Sequence, residues 1–184
     1  VPLTLEIGFI ESARSGGDAL ERLITAVWPE AYRIALSILR DPGLAEDAAQ
    51  EACASIARSL PMLKHAGTFR TWSYKVIVNQ AITAARRRPS TLTLGPLTDR
   101  AIHFDQSDAL DLYNALGALP VVQRGAILLH YYAGLNSGEI AVATGLPSST
   151  VRFHLMLARR ALRKALATTT QAIHSSEEVL PNVQ

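Results

Sequence analysis

Cysteine occurs once in the 184 residues, at Cys53, so no disulfide can form within the chain. A reducing compartment is the expected setting. Long apolar runs are also missing: nothing approaches the roughly 20 residues needed to span a bilayer. The opening VPLTLEIGFIES has neither the basic start nor the apolar core of a secretory signal. These absences predict a cytoplasmic protein without membrane insertion. His65, His103, His130, His154 and His174 are scattered, with no pair at metal-ligand spacing. Glycine-rich phosphate loops and G-x-S-x-G elbows are absent. No metal, no cofactor and no catalytic residue is therefore expected, and Cys53 reads as a small buried residue in mid-helix. Aromatics make up only 6% of the chain against 48% apolar residues, and Ala and Leu recur in helical stretches. The expected fold class is all-α.

Acidic residues are unevenly missing. Net charge is only +2, but no acid occurs from Ala52 to Leu97, which holds Arg58, Lys64, Arg70, Lys75, Arg86, Arg87 and Arg88. From Ile140 to Ser176 acids vanish again, while Arg152, Arg159, Arg160, Arg163 and Lys164 are present. Between these blocks acids return, from Asp99 to Glu139. Two basic blocks parted by an acidic spacer fit two separate contacts with a polyanion. The alternative is two solvated helix faces.

What is present is helical periodicity in two groups. Leu20, Leu23, Ile24, Val27 and Trp28 follow one helical stripe. Pro29 is expected to break or restart that helix before it continues to Arg40. Asp41-Pro42-Gly43 reads as a turn, followed by a helix from about Leu44 to Leu60 and another from about Thr68 to Arg88. Residues 90–107 are rich in Thr, Pro, Gly and Asp and read as a linker. Four further helices are expected: Ala109 to Leu116, one opening at Pro120, Ser137 to Thr144, and Ser148 to about Ala167. The resulting organisation is a helical domain over 1–89, a flexible linker over 90–107, a second helical domain over 108–167 and a polar tail over 168–184.

The second domain carries the signature of a helix-turn-helix. Asn136 can cap a helix, with Glu139 completing a capping box. Ile140 supplies an anchor, and Gly145 sits where the turn needs positive φ. Pro147, Ser148, Ser149 and Thr150 are start signals for the next helix, whose Val151 and Leu155 would face the first. In such a unit the second helix enters the major groove. Ser149, Thr150, Arg152, Phe153 and His154 would lie at the groove, and Arg159, Arg160 and Arg163 near phosphates.

In the first domain, Leu44-Ala-Glu-Asp-Ala-Ala-Gln-Glu51 puts Asp47, Gln50 and Glu51 on one helix face. The next helix carries Phe69-Arg-Thr-Trp-Ser-Tyr-Lys-Val-Ile-Val-Asn79 and closes on Arg86-Arg87-Arg88. With Ala118-Leu-Pro120 and Glu139-Ile-Ala141, in this order, the chain resembles the extracytoplasmic-function (ECF) sigma factors of bacterial RNA polymerase from about Leu20 to Leu166. The resemblance implies an alternative sigma factor that binds core polymerase and directs promoter-specific initiation. It implies that Asp47, Gln50 and Glu51 dock on the clamp helices of the β′ subunit, with the β subunit as a further contact. It implies that Lys64, His65, Thr68, Lys75 and Asn79 read an unpaired minus-ten element, with Arg86, Arg87 and Arg88 on upstream phosphates. The helix-turn-helix would read the minus-thirty-five element, and an anti-sigma factor would be a partner.

The chain departs from the family pattern at several places. Its recognition helix has His154 and Leu157 where basic residues are usual, and Phe153 and Met156 make it more apolar still. Ser73 stands where the family has Leu, and Ala54 and Ser55 replace bulky residues. The Phe153, Met156 and Leu157 patch is expected to pack on an anti-sigma factor or on the chain's own first domain. Two other classes stay open: a helix-turn-helix regulator that binds duplex DNA without polymerase, and a sigma-like decoy that titrates an anti-sigma factor.

Overall fold

The computed structural model describes the backbone of residues 5–87 and 107–177, with side chains over 5–87 and 111–167. Among these residues every regular element is helical. The first unit holds α1 (Ile7–Ala13), α2 (Gly17–Leu39), α3 (Pro42–Ser59) and α4 (Phe69–Arg87), with two short 3-10 turns between α3 and α4. The second holds α5 (Ser107–Gly117), α6 (Val121–Tyr131), α7 (Ser137–Thr144) and α8 (Ser148–Glu177).

Helix α2 is the spine of the first unit. Its Leu23, Val27, Ala31, Ile34 and Ile38 form a buried stripe, and each fully buried Leu or Ile side chain stabilises by about 1.5–3 kcal/mol. Pro29 does not break it. The helix runs straight through to Leu39, because Pro29 and Thr25 are both exposed. The Thr25 carbonyl that loses its i+4 donor therefore faces solvent. Residues 41–43 form a helix start instead of a separate turn. Asp41 caps α3 by accepting from the Leu44 amide at 3.0 Å, and Pro42 occupies the first helical position, where its missing N–H is no loss. Along α3, Ala45, Ala48, Ala49, Ala52, Cys53 and Ile56 are buried. These small residues at helical spacing let α2 and α3 approach closely.

Helix α4 completes the unit through Phe69, Tyr74, Ile77, Val78 and Ile82. Buried Tyr74 donates its hydroxyl to Oε1 of buried Glu30 at 3.1 Å, and Glu30 also pairs with Arg33. Ser73, the small residue at a position where bulk is usual, is fully buried. It tolerates burial because its hydroxyl donates to the Arg70 carbonyl one turn back, at 3.0 Å.

In the second unit the expected capping box is formed. The Asn136 side chain accepts from the Gly138 and Glu139 amides at 2.9 and 3.0 Å, and Glu139 returns to the Asn136 amide at 2.9 Å. Gly145 takes φ 70°, the left-handed value the turn requires. Ile140, Val151 and Leu155 are buried together between α7 and α8. Helix α8 is longer than expected and carries the start of the tail to Glu177. Of the expected linker only Ser107 is described, as the first residue of α5; Arg88 and residues 90–106 lie outside the described residues.

The two units are packed together in one continuous core, with α6 and α7 against α4, and α5 and α6 against α2. The patch expected to pack on the first unit does not do so. Phe153 and Met156 are 53% and 54% exposed, and Leu157 is half-buried. The interface is built instead from α5, α6 and α7, where Gly125 and Ala143 let backbone come close to α4.

Candidate nucleic-acid interface

Asp47, Gln50 and Glu51 share one exposed face of α3, beside exposed Glu46. Arg58 reaches back to Glu51 at 3.0 Å and to the Ser55 hydroxyl at 3.1 Å. An exposed pair of this kind contributes about 0–1 kcal/mol. Among the described residues Glu46 and Asp47 have no ion-pair partner, so this face of α3 stays acidic.

The segment from Leu63 to Thr68 is held by two buried anchors, Leu63 and Ala66, which leave Lys64, His65 and Thr68 exposed. Thr68 Oγ1 donates to the His65 carbonyl at 2.7 Å, closing the loop on itself. Helix α1 packs on this loop, and Arg14 donates to the Pro61 carbonyl at 3.4 Å. The bracing by α1 has no counterpart in the sequence motifs. On α4, Lys75 and Asn79 lie one turn apart and are half-buried, while Arg86 and Arg87 are exposed in the last turn. There they complement the negative end of the helix dipole. The Asn79 amide is already engaged, donating to the Ala143 carbonyl of α7. Arg70, counted above with the polyanion contacts, donates to the Tyr132 carbonyl at 3.0 Å and sits 5.6 Å from the Tyr74 ring centroid.

On α8, Val151, Leu155 and Ala158 point inward, and Arg152, Phe153, Met156, Arg160 and Arg163 are exposed. Ser149 is exposed and Thr150 half-buried. His154 is half-buried, and its buried Nδ1 has no hydrogen-bond partner among the described residues. Arg159 is held sideways by His130, at 2.8 Å, and by the Tyr131 ring, 5.9 Å from its centroid. The Leu135 carbonyl, 2.7 Å from His130 Nδ1, can only accept, so Nδ1 carries the proton and Nε2 accepts from Arg159. The expected phosphate contacts thus divide. Arg160 and Arg163 are displayed, and Arg159 is fixed in place.

Sequence motifs missed Arg40, Arg124 and Gly125, which join the units. Only Gly125, inside an apolar helical run, carried a signal. Burial pulls the Arg124 guanidinium down to about 10, with Arg40 pulling the same way and Tyr113 opposing, so it stays charged near neutrality. Burial raises the Tyr113 phenol, and Arg40 and Arg124 offset part of that rise.

An exposed acidic face, a braced loop with an amide-bearing helix, and a capped helix-turn-helix with displayed arginines occur here in one chain. Comparison with known proteins accounts for the combination. The sigma-70 region 2 family matches residues 23–91, and the sigma-70 region 4 family matches residues 109–162. The chain belongs to the ECF sigma factors. It is similar to the RNA polymerase sigma factor SigV of Bacillus subtilis, 29% identical over 72% of this chain and 81% of that protein. It is similar also to the ECF sigma factor SigC of Mycobacterium tuberculosis, 29% identical over 83% of this chain and 86% of the relative. Among solved structures, the fold matches the sigma factor RpoE of Bartonella quintana, solved with the anti-sigma factor NepR. That match has a TM-score of 0.65 and 19% identity, covering 82% of this chain and 98% of that one. As a sigma factor this protein is a transcription initiation factor that directs RNA polymerase. No helix among the described residues is long and apolar enough to cross a membrane.

Cys53 of this sigma factor is buried, and burial raises its thiol to about 11. The thiolate is the reactive form. A disulfide reagent at pH 8 is therefore expected to leave the native protein unlabelled and to titrate one thiol once denaturant is added. Stoichiometric labelling without denaturant would contradict this burial.

Proposed function

We propose that this sigma factor works in the cytoplasm as a two-contact promoter reader held on core polymerase by α3. Asp47, Gln50 and Glu51 dock on the clamp helices of the β′ subunit. Lys64, His65, Thr68, Lys75 and Asn79 read the unpaired minus-ten strand, a base being turned out of the stack before an amide can reach its edge. Arg86, Arg87 and Arg88 hold upstream phosphates. Ser149, Thr150, Arg152, Phe153 and His154 read the minus-thirty-five duplex, with Arg160 and Arg163 at its phosphates, Arg159 being tied to His130 and the Tyr131 ring. The working domains are 1–89 and 108–167, joined by the linker over 90–107, and an anti-sigma factor restrains them before induction.

The observation that carries this reading is the separation of charge. The acids of α3 share one exposed face of that helix, whereas the displayed arginines belong to α4 and α8. A negative surface repels DNA and suits a basic protein partner, while the arginines supply the salt-dependent attraction to phosphate. The test is direct binding. Fluorescently labelled protein should bind purified bacterial core polymerase saturably and be displaced by a second sigma factor. Absence of binding by protein with full helical content would sink the proposal.

A further inference from the structure

At about 100° per residue, Ser149, Arg152, Phe153, Met156, Arg160 and Arg163 fall within an arc of about 100° around α8. All six are exposed. Val151, Leu155 and Ala158 lie on the opposite side and are buried. Phe153 and Met156 occupy the middle of the outward face, each more than half exposed. Large apolar side chains left in water mark a surface that meets a partner.

Their surroundings indicate which partner. Arg152 precedes the pair, and Arg160 and Arg163 follow it. No acid occurs from Ile140 to Ser176. A groove walled by phosphates pairs such cations while it covers the apolar atoms between them. This is also the face that a helix-turn-helix turns to the major groove, and it lies within the segment matched by the sigma-70 region 4 family.

The residue types then select the base. In the major groove guanine is read by Arg, adenine by Asn or Gln, and cytosine by Asp or Glu. Thymine is read by apolar contact with its C5-methyl group. From Ser148 to Lys164 there is no Asn, Gln, Asp or Glu. Arg152 can take guanine, and the Ser149 hydroxyl does not discriminate. Thymine is the base that offers Phe153 and Met156 an apolar contact. Three residues apart, the two side chains are about 4.5 Å apart along the helix axis, close to the rise of about 3.4 Å per base pair.

We propose that Phe153 and Met156 read the C5-methyl groups of two thymines on neighbouring base pairs of the minus-thirty-five element. The assignment rests on α8 entering that groove, as proposed above, and specifies what it recognises there. Covering one methyl group raises affinity about fourfold, and covering two about fifteenfold.

The test uses holoenzyme assembled from the full chain and bacterial core polymerase. Footprinting on promoters selected from fragments of the source genome locates the minus-thirty-five element. Each thymine in it is then replaced by deoxyuridine, which removes the methyl group and keeps the base pair. Affinity should fall about fourfold at each of two neighbouring positions. Phe153→Ala should abolish the difference between thymine and deoxyuridine at one position, and Met156→Ala at the other. Both side chains are exposed, so the variants keep the fold. An element without neighbouring thymines, or one that tolerates deoxyuridine throughout while the footprint persists, overturns thymine reading and leaves the groove reading standing. Tolerance is also the result for an apolar pair reserved for a protein cover. A deoxyuridine penalty that survives both alanine variants overturns the roles of Phe153 and Met156. Polymerase bound at the minus-ten element with no footprint upstream removes the groove reading itself, and this inference with it.

Discussion

Reversing two charges on α3 together, Asp47→Arg and Glu51→Arg, is expected to weaken association with core polymerase by at least about 100-fold and to leave the fold intact. Both residues are exposed, and substitutions at such sites usually change stability by less than about 0.5 kcal/mol. Loss of the Arg58–Glu51 pair adds at most about 1 kcal/mol. A docking site that matches a basic surface meets like charge after reversal, and that repulsion is what the large effect measures. Titration against core polymerase beside a circular dichroism melt separates the two quantities. Unchanged affinity would remove α3 as the docking face.

The second large effect is expected at Ile140. Its side chain is fully buried between α7 and α8 with Val151 and Leu155. Ile140→Ala deletes buried methyl groups and leaves a cavity, costing about 2–5 kcal/mol. For a domain-sized chain this lowers the melting temperature by about 10 °C. The loss should fall on the second unit: duplex binding disappears, while the first unit keeps its helices and its affinity for polymerase. A variant that still binds duplex DNA at wild-type strength and melts at the wild-type temperature would show that Ile140 does not hold the helix-turn-helix together.

The helix-turn-helix was the most legible part of the chain because its determinants are local. Asn136 and Glu139 are three residues apart, and Gly145 answers to its own backbone. Capping and left-handed turns act over one helical turn, so spacing alone exposes them. Pro29 misled for the opposite reason. A proline inside a helix is damaging where the freed carbonyl is buried, and only the tertiary structure reveals that Thr25 lies at the surface. The asymmetry of charge announced α3 and the basic helices, but not which arginines are free. Arg70 and Arg159 are spent on a carbonyl and on a histidine with its neighbouring ring. Arg152, Arg160 and Arg163 remain displayed. The apolar patch at Phe153 and Met156 was expected to pack on an anti-sigma factor or on the first unit, and it does not meet that unit. That unit is met by Gly125 and Ala143, whose small size carries no hydrophobic signal. Contacts between sequence-distant residues, such as Arg124 with Ile38, leave no periodic trace at all.

The central claim is tested most directly by run-off transcription with purified core polymerase and fragments of the source genome, with and without this protein. The account predicts discrete transcripts, present only when this sigma factor is added and lost with Asp47→Arg/Glu51→Arg. Transcripts identical with and without it, under conditions where a reference sigma factor is active, would contradict the account.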